Sequence, residues 1–208
     1  MSRSRNLASL KQRVAREAAS LLYTSQEKEY KQAKLRAAQT LGARVLPSNK
    51  DIANELDSLA DELEGSPRQE RIVQMRREAF EIMKVLKVFH PVLIGSVWRG
   101  TANKHSDIDI VVFSSQPTKA QAELEQKGYR IMKTEWQSAP KMNQGDRSFH
   151  IYVSLESGNE AEVVARSLER LNQEVKDEIY GDTMTGLNLR DLNKVLRENP
   201  TRKFTPKG

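Results

Sequence analysis

Apolar residues at Leu7, Leu10, Val14, Ala18 and Leu21 recur every three or four positions, the spacing of one stripe on a helix from Asn6 to about Leu22. A second, alanine-rich helix is expected from Gln26 to Leu41, stopped by Gly42. A third is expected from Lys50 to about Leu63, capped by Ser48 or Asn49, with Ile52, Leu56, Leu59 and Leu63 as its buried stripe. Gly65-Ser66-Pro67 is the clearest breaker in the chain and separates residues 1–65, a helical region, from residues 66–199, where the pattern changes. There a longer helix over Gln69–Val88 leads into a short apolar strand, Val92 to Ile94. Period-two alternation then marks strands over Asp107–Phe113, Tyr129–Gln137 and Arg147–Leu155. Thr118–Lys127 reads as a crossover helix, Ala139 to Asp146 as a polar turn, Glu160–Tyr180 and Leu189–Glu198 as helices, and residues 200–208 as a loose tail. The expected fold class is α+β: a mixed sheet flanked by helices, preceded by an all-helical region.

The chemistry concentrates between the first two strands. After Ile94 the chain reads Gly95-Ser96, a turn through Val97 to Asn103 that can wind helically, and then Ser106-Asp107-Ile108-Asp109-Ile110. Strand alternation puts Asp107 and Asp109 on one face and Ile108 and Ile110 on the other. Two carboxylates so placed repel each other unless a cation lies between them, and paired hard oxygens suit Mg²⁺. Gly95 lets backbone approach a ligand closely, while the Ser96 hydroxyl and the N–H groups of the following turn can bind phosphate oxygens. Metal on one side and phosphate on the other are what phosphoryl transfer needs.

The stretch GSVWRGT followed by SDIDI resembles the signature of the DNA polymerase β-like nucleotidyltransferase superfamily, and is most similar to that of its small prokaryotic and archaeal members. The resemblance covers about twenty residues. It implies a nucleotidyltransferase-type sheet and attack by an acceptor hydroxyl on the α-phosphorus of a nucleoside triphosphate, with Mg²⁺ or Mn²⁺ as cofactor. In that scheme Asp107 and Asp109 are catalytic and hold the metal, Gly95 and Ser96 bind the triphosphate, and Arg99 or Lys104 neutralises charge near its outer phosphates. Members of the superfamily commonly carry a third carboxylate on a later strand. The strand Arg147–Leu155 contains none, which leaves His150 as the candidate base or ligand, with Glu135, Asp146 and Glu156 as carboxylates whose geometry the sequence does not give. EYKQAKLRAAQTLG and LPSNKDIANEL also resemble the helical N-terminal region of prokaryotic nucleotidyltransferase-domain proteins, a similarity that implies no chemistry of its own.

Composition narrows the setting. The 208 residues contain no cysteine and three histidines, which excludes thiolate metal sites, disulfides and a cysteine nucleophile. No apolar run reaches membrane-spanning length and no signal peptide precedes the first helix, so the expectation is a cytoplasmic protein with no membrane partner. The net charge of +6 is uneven: residues 1–50 hold eleven lysines and arginines against three glutamates. A basic extension beside a phosphate-handling site favours RNA as acceptor, although a solvated helix face has the same composition. The leading expectation is therefore transfer of a nucleoside monophosphate from ATP or another triphosphate, with RNA favoured. Its alternatives are a catalytically weak or inactive nucleotide- or RNA-binding module, nucleotidylation of a protein, and a helical interaction protein with an incidental Asp-x-Asp. No acidic cluster of the kind an aminoglycoside-like acceptor needs accompanies the motif.

Overall fold

Alanines let the first three helices approach closely. In the computed structural model, which describes residues 2–138 and 147–206, α1 (Ser2–Tyr23), α2 (Tyr30–Thr40) and α3 (Asn49–Glu64) form a helical unit. Its core is Val14, Ala15, Ala18, Ala19 and Leu21 of α1, Ala33, Ala37 and Ala38 of α2, and Ile52 of α3. Ser48 caps α3 in a full capping box with Asp51. Leu63, expected in the buried stripe of α3, is 61% exposed; Arg68 lies alongside α3 instead, fully buried, and donates to the Asp57 carboxylate at 2.6 Å and the Asp61 carboxylate at 2.5 Å.

The chain divides into two compact units, one containing Met1–Arg68 and Lys176–Thr183, the other Gln69–Val175 and Met184–Thr205. In the second unit a six-stranded mixed sheet has the order β3-β4-β5-β2-β1-β6. Its strands are β1 (Val92–Ile94), β2 (Ile108–Phe113), β3 (Arg130–Ser138), β4 (Arg147–Ser154), β5 (Glu160–Arg166) and β6 (Leu187–Asn188). Among the described residues only the β2–β5 pair is parallel. Alternation sends Ile108, Ile110, Val112, Ile151, Val153 and Val163 to one face, where α4 (Ser66–Val85), α6 (Thr118–Gln126) and α7 (Leu189–Glu198) cover them through residues such as Met75, Ile82, Leu124 and Leu192. Among the described residues no helix is long and apolar enough to cross a membrane.

Two expectations are corrected here. Glu160–Tyr180 is not a helix: it begins with β5, followed by a short 3-10 turn at Leu168–Arg170. Ala161, Val164, Leu168, Leu171 and Val175 fit helical spacing, but Glu160–Arg166 also alternates with period two, and partners on both sides, β2 and β4, settle the choice. Of the tail from residue 200 to 208, expected to be loose, the part through Phe204 is held: Arg76 donates to the carbonyls of Pro200 and Arg202, and Arg99 to that of Phe204. The expected turn at Ala139 to Asp146 lies outside the described residues.

Candidate active site

The register of β2 builds the site. Asp109 pairs with Ile94 across the antiparallel β1–β2 contact and with Glu162 across the parallel β2–β5 contact. Paired residues in a sheet share a face, so Asp109 and Glu162 stand side by side, with Asp107 at the mouth of the strand. One carboxylate oxygen of each of Asp107, Asp109 and Glu162 lies within 4.8 Å of the others. Burial, and then the charges of Asp107 and Glu162, push the Asp109 carboxyl up to about 8. Burial also raises Asp107, with Glu162 and Glu160 adding repulsion. Three convergent hard oxygens that resist holding their negative charges together are the donor set for a hard divalent cation.

Gly95 is fitted to this cluster. It opens the short helix α5 (Gly95–Arg99) with φ of +70°, and a Cβ there would overlap Asp109 Oδ2 and lie 2.8 Å from the carboxyl carbon. No other residue leaves room for that carboxylate. Ser96 follows, partly buried, and its carbonyl accepts from Thr101 N–H at 3.0 Å. The far end of α5 is anchored by Arg76 of α4, fully buried, which donates to the carbonyls of Val97 at 3.0 Å and Trp98 at 2.8 Å. Burial among neutral carbonyls holds the Arg76 guanidinium down at about 10.

The sequence-predicted residues fall into three groups. Asp107, Asp109, Gly95 and Ser96 come together. His150 joins them at one remove: its Nδ1 is 2.7 Å from Glu162 Oε1, and its Nε2 is 2.7 Å from Ser148 Oγ. Arg99 and Lys104 form the third group. Arg99 is 2% exposed, stacks at 4.2 Å over Trp98 and donates to the Phe204 carbonyl at 2.9 Å, while Lys104 is exposed in the loop before β2. The substitutes considered for a third carboxylate are elsewhere. Glu135 accepts from Tyr152 and Gln137 and is held down at about 2, first by the hydrogen bond from Lys133. Glu156 is exposed beyond the end of β4, and Asp146 lies outside the described residues.

Glu162 is the residue the sequence reading missed, and with it the supposed gap in the carboxylate set closes. Its signal was present. Leu155 to Asn159, containing Gly158 and Asn159, separates two alternating runs, which is hairpin punctuation, and the second run is Glu160-Ala161-Glu162-Val163-Val164.

The family model described as "Nucleotidyltransferase domain" matches residues 76–180. No curated protein matches the chain. Similar solved structures include a cytoplasmic RNA terminal U-transferase, 18% identical over 53% of this chain and 31% of that one, with a TM-score of 0.37. Cid1 in complex with the UTP analogue UMPNPP is 20% identical over 61% of this chain and 38% of its own, with a TM-score of 0.37. A chain of the GLD-2/RNP-8 complex is 13% identical over 59% and 44%, with a TM-score of 0.33. This chain therefore spans less than half the length of each.

Proposed function

Because the chain belongs to the nucleotidyltransferase-domain family of the DNA polymerase β-like superfamily, we propose that it is a metal-dependent enzyme transferring a nucleoside monophosphate from ATP or another triphosphate to an acceptor hydroxyl, with RNA the favoured acceptor. The catalytic domain in this reading is residues 66–199, with residues 1–65 as a basic helical extension, and the enzyme acts in the cytoplasm. The observation that carries it is the convergence of Asp107, Asp109 and Glu162 within 4.8 Å beside a glycine that admits no side chain.

The three carboxylates would hold Mg²⁺ or Mn²⁺, which supplies Lewis acidity toward the phosphoryl oxygens and offsets their developing charge. The remaining work is positional. Gly95 and Ser96 receive the triphosphate, and Arg76 keeps α5 in place from behind. Glu162, held by His150, offers a carboxylate oxygen for the proton of the attacking hydroxyl. The acceptor oxygen then bonds to the α-phosphorus, the bond to the bridging oxygen breaks, and pyrophosphate leaves with its electron pair.

RNA is favoured by the basic composition of residues 1–50, within which Arg13, Lys28, Lys31 and Arg44 are exposed, whereas Lys11, Arg16 and Arg36 are paired with Asp51, Glu55 and Glu27. The deciding experiment offers each α-labelled triphosphate with Mg²⁺ or Mn²⁺ to RNA and protein pools, comparing wild type with the Asp107→Asn/Asp109→Asn double variant. Label in RNA that vanishes with the variant is the expected result. Label confined to protein would replace the acceptor, and triphosphate binding without product would reduce the chain to a binding module.

A further inference from the structure

Past the carboxylates, the same face of the sheet changes character. One step along the strands, Val111 and Val164 stand where Asp109 and Glu162 stood, and one step further Phe113 pairs with Arg166. With Val92 and Ile94 of β1 these apolar residues form a small cluster separate from the main core. A cavity of about 110 Å³ opens on Val92, Ile94, Val111 and Phe113, with Arg166 and Arg170 in its walls. It is far smaller than the roughly 300–1,000 Å³ that takes a whole drug-sized ligand, so it suits one flat group.

Arg166, partly buried at this cavity, differs from the buried arginines. Arg68 meets two carboxylates, Arg76 four carbonyls, and Arg99 a carbonyl and the Trp98 ring. The Arg166 guanidinium has no hydrogen-bond or ion-pair partner among the described residues, and burial alone lowers its pKa. A guanidinium that keeps some solvent access at the edge of an apolar cavity, with no partner of its own, is open to a ligand, and an arginine fork matches a phosphate. Arg166 lies on the face of Glu162 and four residues further along β5, roughly 13 Å at 3.3 Å per residue.

On the nucleotidyltransferase reading given above, we propose that this cavity is the acceptor subsite: a base near the 3′ end of single-stranded RNA lies on the apolar floor, and an adjoining phosphodiester is held by Arg166. The position discriminates between the two substrates. A triphosphate received by Gly95 and Ser96 has all its phosphates at the α5 end of β2, and the transferred nucleoside carries none beyond the α-phosphate. A phosphate at the opposite end of the strands belongs to the acceptor. A polynucleotide has one there, whereas an unmodified protein side chain does not.

The test is equilibrium binding of a fluorescein-labelled oligoadenylate with a free 3′ hydroxyl to the full-length protein, in Mg²⁺ and a non-hydrolysable ATP analogue. Wild type, Arg166→Ala and Arg166→Lys are compared, with analogue affinity measured separately. Arg166→Ala is expected to weaken RNA binding about tenfold or more, consistent with losing a hydrogen-bonded charge pair. It should also lower the salt-dependence slope by about 0.7, one phosphate's share for a single strand. Analogue affinity should stay within about twofold of wild type. Arg166→Lys keeps the charge and the stem, and should recover the salt slope. Unchanged RNA affinity in Arg166→Ala, a parallel fall in analogue affinity, or no RNA binding by wild type would each overturn the assignment. Nucleotide incorporation reports separately on the enzyme reading. Arg166-dependent RNA binding without incorporation removes that reading and keeps the subsite; incorporation into protein, with RNA binding indifferent to Arg166, does the reverse.

Discussion

The two faces of the central sheet are made by the same strands in the same register, yet they do opposite things. On one face Ile108, Ile110 and Val112 of β2 are buried under helices with Ala161, Val163 and Ala165 of β5. On the other, the intervening residues set Asp109 against Glu162 and Phe113 against Arg166. The apolar face releases surface from water, while the polar face collects charges that repel or lack partners. One residue of register is the only separation between them, so a slip would bury the carboxylates and expose the isoleucines. The core face therefore fixes the geometry that the site face needs.

Substitution on each face should separate activity from stability. The largest effect on transfer is expected for Asp109→Asn, which keeps the shape and removes a charge at the centre of the cluster: a loss of about 10³-fold, the scale seen when a group stabilising transition-state charge is removed. Stability should move the other way. The Asp109 carboxyl is pushed up to about 8 in the fold, against about 3.9 in the unfolded chain. Between about pH 4 and 8 the metal-free folded state thus binds more protons than the unfolded state, and its stability falls as pH rises through that window. Asp109→Asn, or added Mn²⁺ with the wild type, should flatten that fall in thermal melts, by at least the 2–4 °C that corresponds to about 1 kcal/mol in a chain of this size. A wild-type Tm unmoved by both pH and metal would contradict the idea that these carboxylates are an ion site.

The neighbouring residue supplies the counterpart. Ile110→Ala removes a fully buried side chain and should destabilise the protein by about 3 kcal/mol, read as a lower midpoint in urea. Activity per folded molecule should be kept at low temperature, because the register that sets Asp109 opposite Glu162 rests on many other contacts. If transfer collapsed in Ile110→Ala while the protein stayed folded, the two faces would not be separable.

The sequence showed the carboxylates of β2 more readily than that of β5, for a physical reason. Gly95, Ser96, Asp107 and Asp109 are close in sequence, so the turn and the strand that unite them are local. Glu162 reaches the site only through parallel pairing with β2, a contact made across more than fifty residues. Its strand also carries apolar residues at helical spacing, so periodicity alone cannot choose. Arg99 shows the converse. It follows the Gly-Ser pair closely, but the Phe204 carbonyl engages it from the far end of the chain. The α+β class, β1, β2, α6, β3, β4 and α7 were legible from local pattern, whereas β6, two residues long, carries too little pattern to be read.

His150 joins the two lessons, because it was legible in sequence but its role depends on a partner that was not. Its ring connects Ser148 Oγ to Glu162 Oε1, each at 2.7 Å, so it fixes the carboxylate's orientation from outside the cluster. A residue that orients a metal ligand without touching the ion typically costs about 10–100-fold in metal affinity when removed. His150→Ala should therefore weaken Mn²⁺ binding by that factor, a smaller effect than losing Asp109. His150→Asn, whose side-chain amide can occupy the place of Nδ1, should restore most of it. Titrating Mn²⁺ by electron paramagnetic resonance alongside kcat against pH separates this from direct proton transfer. A positioning role moves the metal affinity and leaves the shape of the pH profile alone. Full Mn²⁺ affinity in His150→Ala, with one limb of the profile gone, would instead make His150 a base acting on the acceptor.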